Sequence, residues 1–207
     1  MEQPSPEDKN WTWVLERPCD QCGYDASAPD RSDLGAMIRA NAAMWRSLLG
    51  RGDLVAERPP VPAGQSPVWS ALEYGCHVRD VYRVMGERLN LMLSKKEPTF
   101  PDWDQDRTAI EERYDQQEPS KVSYDLALTA GRVADTVDRI GDKQWDRRGY
   151  RSTGDAFTVE SLVRYLLHDV VHHVHDVEEG YRLLAPDEED DGSDGDGPGG
   201  NGSSAGS

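Results

Sequence analysis

The chain has 207 residues and a formal net charge of −16, and its length is sufficient for one domain with a substantial core. This charge argues against binding to a nucleic-acid backbone, which requires clustered lysine and arginine. No run of residues approaches the roughly 20 consecutive apolar residues of a membrane span, and MEQPSPEDKN lacks the basic and apolar regions of a signal peptide. We therefore expect a cytoplasmic protein that binds neither nucleic acid nor membranes.

Composition divides the chain into an irregular N-terminal segment (1–30), a helical domain (31–185) and a tail (186–207). The tail combines acidic residues with Gly and Ser, so it cannot bury enough surface to offset its ordering entropy and is predicted to be disordered. The N-terminal segment contains Cys19 and Cys22 in a Cys-x-x-Cys spacing, which is half of a four-ligand zinc site. No second cysteine pair exists, and no strand precedes this one as in a redox dithiol. We interpret the spacing as a structural turn.

The first two helices follow from apolar periodicity and from residues that favour helix starts. The first helix is predicted over 31–49, with Ser32 as its N-cap. The second helix is predicted to begin with Ser66 as N-cap and Pro67 at its first position, and to end near Leu93. A Pro-rich stretch separates the two helices.

The second half of the domain continues the helical pattern. A polar connector and the short helical piece TAIEERYDQ precede a third helix over 121–140. A loop over 145–155 leads to Thr158, which is predicted to cap a fourth helix that ends near Leu184. Four amphipathic helices and no sustained period-two alternation predict an all-α fold, a four-helix bundle.

Four of the five histidines lie in HDVVHHVHD, within the fourth helix. At about 100° per residue, His173 and Asp169 share a face with an apolar stripe, which is expected to face the core. This stripe consists of Leu162, Leu166, Val177, Gly180 and Leu184. By the same construction His168, His172 and His175 point away from the stripe, and we expect them on a solvated face.

The second helix has one histidine, His77, on an apolar face, with Glu73 one turn before it. Buried imidazoles and carboxylates need partners, because a lone buried carboxylate carries a large desolvation cost. A divalent cation coordinated by His77, Asp169 and His173 satisfies all three groups and leaves a position for water or substrate. A hydrogen-bonded pair of His173 and Asp169 without metal is the alternative. We expect Glu73 to orient a bound ligand or a coordinating side chain.

The stretches SPVWSALEYGCHVRDV and FTVESLVRYLLHDVVHHVHDV resemble the DinB/YfiT-like superfamily, which includes thiol-dependent S-transferases. The resemblance implies a four-helix bundle with a long crossover, a homodimer or monomer, and a Zn²⁺ or Ni²⁺ ion. It places the ion on one histidine of the second helix and two residues of the fourth, which match His77, Asp169 and His173. The first of the two ligand positions on the fourth helix, which matches Asp169, is histidine in many members. Mycothiol-dependent maleylpyruvate isomerase has a carboxylate there, so Asp169 is a departure with a precedent in the family, although glutamate is the usual carboxylate.

The resemblance also implies a chemistry. In thiol-dependent members the metal binds the sulfur of a low-molecular-weight thiol such as mycothiol or bacillithiol, and the resulting thiolate attacks an electrophilic small molecule. Two other functions remain open from the sequence. One is a metal-binding stress or interaction protein without catalysis. The other is a metal-dependent hydrolase with Glu73 or Asp80 as the base.

Overall fold

The computed structural model describes residues 11–65, 67–152 and 154–185, and its regular elements are mostly helical. The chain order is α1 (Leu34–Leu48), α2 (Ala71–Ser94), α3 (Gln105–Glu111), α4 (Pro119–Val137), β1 (Arg148–Tyr150), β2 (Ala156–Thr158) and α5 (Val159–Leu184). Short 3-10 helices occupy Trp11–Leu15, Arg31–Asp33, Gly52–Ala56, Tyr114–Gln116 and Asp142–Gln144. The predicted all-α class is confirmed. The tail over 186–207 lies outside the described residues.

The helix starts show where local sequence signals succeed and fail. Thr158 caps α5 as predicted, since its hydroxyl accepts a hydrogen bond from the backbone N–H of Ser161. The predicted start of the second helix is wrong: Ser70 is the N-cap, and its partner in a capping box is Glu73. Ser66 lies outside the described residues. Ser32 is also not a cap, because it lies inside a 3-10 turn that precedes α1.

Four long helices form the bundle, and the pairs in closest contact are α1–α4, α2–α4, α2–α5 and α1–α5. The order around the bundle is therefore α1, α4, α2, α5, which makes α2 and α5 neighbours. The core between them is apolar, with Trp45 and Tyr82 among its largest fully buried side chains. Asn41 fastens three helices together, because it donates to the carbonyl oxygen of Val170 and accepts from the hydroxyl of Tyr82.

A β-hairpin stands where the sequence predicts a loop. Strands β1 and β2 pair antiparallel, with Gly149 opposite Phe157. Each strand has only three residues, which is too short for alternation to be visible in the sequence. A side chain at position 149 would collide with Phe100 and Met92, so glycine is required for this close approach.

The described part of the N-terminal segment packs on α5. Arg164 of α5 donates hydrogen bonds to the backbone carbonyl oxygens of Ala26 and Pro29, and Glu160 forms an ion pair with Arg31. Helix α5 is consequently covered on two sides, by the bundle and by this segment. Its solvent-exposed face is narrower than its sequence pattern indicates.

Among the described residues, no helix combines the length and the apolar character that a membrane crossing demands.

Candidate metal centre

The three predicted metal ligands meet at the interface of α2 and α5. Nε2 of His77 lies 3.8 Å from Oδ1 of Asp169, and Nε2 of His173 lies 3.4 Å from the same oxygen. One donor atom from each of the three side chains falls within 4.8 Å of the others. His77 and Asp169 thus face each other across two neighbouring helices, whereas Asp169 and His173 are one turn apart on α5.

These separations suit a shared cation better than direct hydrogen bonds. Two nitrogen or oxygen donors about 2.0–2.1 Å from one tetrahedral ion are about 3.3 Å apart. Oδ1 of Asp169 is inaccessible to solvent and has no hydrogen-bond partner among the described residues, and Nδ1 of His77 is in the same situation. The 3.4 Å contact between Nε2 of His173 and this oxygen is therefore an ion-pair contact and not a hydrogen bond. The three side chains fit a divalent metal ion.

The protonation states at this cluster also suit metal binding. Burial lowers the pKa of His77, so that its imidazole is neutral at neutral pH. Burial alone would raise the pKa of Asp169, but the neighbouring His77 and His173 outweigh it, and the pKa lies below its ordinary value. A neutral imidazole and an ionised carboxylate are the forms that coordinate metals.

Aromatic side chains surround the cluster. Trp103 stacks on His77 with ring centroids 5.6 Å apart, and Trp69 lies 5.4 Å from the same imidazole. Tyr74 lies 5.1 Å from the ring of His173. Nε1 of Trp103 donates to the hydroxyl of Thr108 on α3, which fixes the stacked indole. This apolar lining limits solvent at the cluster and strengthens electrostatic interactions there.

Glu73, which we expected to orient a ligand, has other contacts in the structure. Its carboxylate accepts hydrogen bonds from the backbone N–H and hydroxyl of Ser70, at 2.8 and 2.9 Å, and forms an ion pair with Arg58. Burial opposes ionisation of Glu73, but these partners lower its pKa below the ordinary value. The structure thus gives Glu73 a role at the start of α2, and its role toward a ligand stays a prediction.

The expectation that His168 and His172 face solvent is wrong. Their exposed fractions are 3% and 7%, because the N-terminal segment covers this side of α5 and brings Cys19 next to them. His175 is only half-buried. The signal for this cluster was the pair of histidines four residues apart on one helical face, in a chain that also has a Cys-x-x-Cys spacing, and the position of the apolar stripe argued against it.

A cleft of about 620 Å³ opens beside the candidate metal centre. His173 and Asp176 line it from α5, Trp69 and Tyr74 line it from the beginning of α2, and Asp106 lines it from α3. No sequence signal distinguishes Asp106, which lies in a polar connector with several similar aspartates. Burial and the charge of Asp104 raise its pKa, and such a carboxylate beside a cleft is a candidate for proton transfer.

Two solved structures share this fold. One is YfiT from Bacillus subtilis, described as a probable metal-dependent hydrolase with an unusual four-helix bundle topology: 19% identity, a TM-score of 0.66, and coverage of 77% of this chain and 90% of that one. The other is a mycothiol-dependent maleylpyruvate isomerase: 11% identity, a TM-score of 0.58, and coverage of 73% of this chain and 62% of that one. At these identities the likeness establishes the fold alone.

The sequence was also compared with curated proteins and with models of protein families. No curated protein matches the chain significantly. The family model of the DinB superfamily matches residues 37–177, which include α2, α4 and most of α1 and α5. This match covers more than half of the chain and contains all three predicted metal ligands. The chain belongs to the DinB superfamily.

Proposed function

We propose that the chain is a metal-dependent enzyme that activates a low-molecular-weight thiol of the mycothiol type for attack on an electrophilic small molecule. The observation that carries this proposal is the convergence of His77, Asp169 and His173 beside the cleft. Three protein ligands leave a coordination position for an incoming group, as in catalytic rather than closed structural sites. Zn²⁺ and Ni²⁺ are the ions we propose.

The chemistry that the bound ion would supply is Lewis acidity, which lowers the pKa of a coordinating thiol so that the nucleophilic thiolate exists at neutral pH. The residues of the chain would hold the ion, orient its ligands and accept the proton. His77, Asp169 and His173 would hold the ion, and Asp176 fixes the ring of His173 through a hydrogen bond at Nδ1. Asp106 lines the same cleft and could accept the proton that a thiol loses on binding.

The cleft wall suits a small molecule with both apolar and polar parts. Pro59, Pro60 and Leu183 contribute apolar surface, whereas Gln21 and Gln105 contribute amides that can hydrogen-bond a carbonyl or hydroxyl group. Its volume lies in the usual range of ligand pockets, about 300–1,000 Å³. A thiol and a compact electrophile are therefore partners of suitable size.

A metal-dependent hydrolase is the second candidate, and Asp106 is the observation in its favour. A base for water activation needs a pKa near the working pH, and Asp106 has the raised pKa. Glu73 and Asp80 are less suitable as bases, since ion pairs with Arg58 and Arg79 hold their pKa values below the ordinary range. The described hydrolase character of YfiT supports this candidate by analogy of fold only.

The two activities can be separated with cobalt-loaded protein. We expect added mycothiol, and not phosphate or acetate, to increase the sulfur-to-cobalt charge-transfer absorption and to stabilise the protein thermally. The protein should then transfer the thiol to a reporter electrophile such as monobromobimane. His77→Ala and Asp169→Ala should lose both the thiol-induced band and the transfer, while His175→Ala, a histidine outside the cluster, should keep them.

Other outcomes would contradict the proposal in distinct ways. Stabilisation by phosphate or acyl analogues with no response to mycothiol, bacillithiol or glutathione would favour the hydrolase. Stoichiometric metal that requires His77 and Asp169, with no response to thiols or hydrolase substrates, would favour a metal-binding protein without catalysis. A metal content equal to that of the wild type in both alanine variants would overturn the centre itself.

A further inference from the structure

A second cluster of potential metal-binding side chains lies on the face of α5 next to the candidate metal centre, and the rings of His172 and His173 have centroids 5.9 Å apart. It consists of Cys19, Cys22, His168 and His172, whose donor atoms all lie within 4.8 Å of one another. Sγ of Cys19 is 3.7 Å from Nδ1 of His172, and the rings of His168 and His172 have centroids 5.3 Å apart. Three of the four residues are buried and Cys22 is half-buried.

The backbone around the two cysteines forms a tight turn that presents both thiols on one side. The N–H of Gly23 donates to the carbonyl oxygen of Cys19 at 2.9 Å, and the N–H of Cys19 donates to that of Tyr24 at 2.9 Å. Gly23 has a φ of +72°, a left-handed conformation that glycine adopts without steric cost. The glycine that follows the second cysteine thus allows the turn to close.

Helix α5 presents the two histidines to this turn. His168 and His172 are one helical turn apart, so their rings project from the same face. The turn is held against that face by hydrogen bonds from Arg164 to the carbonyl oxygens of Ala26 and Pro29. These hydrogen bonds help to hold the cysteine turn against the two histidines without using any of the four side chains.

We infer that Cys19, Cys22, His168 and His172 bind a structural Zn²⁺ ion. Two cysteines and two histidines are a characteristic ligand set for tetrahedral zinc, and four protein ligands close the site to substrate. A sulfur at about 2.3 Å and a nitrogen at about 2.0–2.1 Å from one tetrahedral ion are about 3.6 Å apart. The 3.7 Å between Sγ of Cys19 and Nδ1 of His172 agrees with this spacing.

The second site shares no proposed ligand with the candidate metal centre. The family match begins at residue 37, so the cysteine pair stands outside the part of the chain that defines the superfamily. The two thiols are free and form no disulfide with each other. Bound zinc would tie the N-terminal segment to α5 across 153 positions of sequence between Cys19 and His172, a long loop whose closure restricts the unfolded chain.

Metal stoichiometry of the full chain tests this inference. We expect cobalt-loaded wild-type protein to bind about two ions per chain and to show a sulfur-to-cobalt charge-transfer band without any added thiol. Cys22→Ser and His168→Ala should each lose one ion and this intrinsic band, yet keep the ion at His77. His77→Ala should lose one ion and keep the band, and His175→Ala is the matched control that should retain both.

Alkylation gives a second measurement that does not depend on a variant folding. Zinc should protect Cys19 and Cys22 of the wild-type protein from iodoacetamide, and removal of zinc with a chelator should expose them, whereas buried Cys76 serves as the internal reference. The inference is overturned if zinc fails to change the alkylation of the pair, if Cys22→Ser keeps the intrinsic band, or if the pair is isolated as a disulfide without metal. None of these outcomes depends on the transferase activity.

Discussion

Nδ1 of His173 donates a hydrogen bond to Oδ2 of Asp176, at 3.0 Å. This bond leaves Nε2 of His173 as the nitrogen that faces Asp169, at 3.4 Å from its Oδ1. The other carboxylate oxygen of Asp176 lies 3.5 Å from Nε2 of His172, whose Nδ1 faces Cys19. The carboxylate of Asp176 therefore contacts one histidine of each cluster and helps to orient both rings.

Loss of Asp176 is expected to weaken metal binding without removing a ligand. In a Cys22→Ser background, which isolates the centre at His77, Asp176→Ala should lower the affinity for cobalt by about 10- to 100-fold. Competition with a chelating dye measures this affinity. Glu179→Ala, one turn away on the same cleft wall, is the control and should leave the affinity unchanged. An unchanged affinity in Asp176→Ala would show that His173 is oriented by other contacts.

Asp106 is expected to serve proton transfer and not metal binding. Asp106→Asn should retain stoichiometric metal and lose turnover by a factor of about 10² to 10⁴, the usual contribution of a positioned acid or base. A raised pKa means that Asp106 ionises at a higher pH than usual. The wild-type rate should therefore fall as pH drops through that pKa, and the rate of the variant should not show this acidic decrease. Steady-state rates across acidic to neutral pH provide the measurement.

A matched control for Asp106 is available on the same helix. Glu111→Gln removes an exposed carboxylate that pairs with Arg107, away from the cleft lining. Its rates and pH profile should equal those of the wild type. Equal profiles for Asp106→Asn and the wild type would remove Asp106 from the mechanism.

Asp80 is expected to be a stability determinant with a defined pH dependence. It accepts hydrogen bonds from the hydroxyl of Tyr114 at 2.6 Å and from Arg79 at 3.0 Å. Burial opposes its ionisation, but these partners hold its pKa below the ordinary 3.8. Asp80→Asn should lower the free energy of unfolding by about 3 kcal/mol at neutral pH, since it leaves a largely buried guanidinium without its counter-charge.

The sign of the pH effect follows from the lowered pKa. The contribution of Asp80 is fully present above the pKa of the unfolded chain and is lost as pH falls through the lower pKa of the folded chain. Denaturant unfolding should therefore show a smaller acid-induced loss of stability in Asp80→Asn than in the wild type. Asp125→Asn, which removes the partly exposed pair with Lys121, should cost less than about 1 kcal/mol. Identical slopes in Asp80→Asn and wild type would contradict the assignment.

Glu73 provides a test between support of the helix and support of the site. Glu73→Gln should lower the free energy of unfolding by about 1–3 kcal/mol, because it weakens the capping box and leaves Arg58 without its ion pair. Metal affinity should remain at the wild-type level. A large loss of affinity in folded Glu73→Gln would instead support the role in orienting a ligand that the sequence suggests.

The sequence predicts the faces of α5 that meet the bundle but not the face covered by the N-terminal segment. Periodicity correctly places Asp169 and His173 toward α2, since the apolar stripe of a helix packs on its nearest partner. The same rule misplaces His168 and His172, because a polar face can be buried when metal-binding groups on a distant segment meet it. Such pairing between residues about 150 positions apart leaves no periodic signal in either segment.

Competing local signals limit how accurately the sequence predicts where a helix begins. Serine followed by proline favours a start at Ser66, but Ser70 followed three residues later by Glu73 forms the capping box that the structure uses. The hairpin before α5 was missed because β1 and β2 are too short for an alternating pattern. The end of α5 near Leu184 and the cap at Thr158 were predicted correctly, since each has one dominant signal.

Gln21, between the two cysteines of the turn, forms part of the cleft wall together with His173. A zinc ion that anchors this turn would therefore also determine how wide the entrance to the reaction chamber is. Loss of the structural ion in Cys22→Ser should then alter which electrophiles enter before it alters the rate with the smallest ones. Grafting a different turn onto the same four helices becomes a way to redesign selectivity without touching the residues that perform the chemistry.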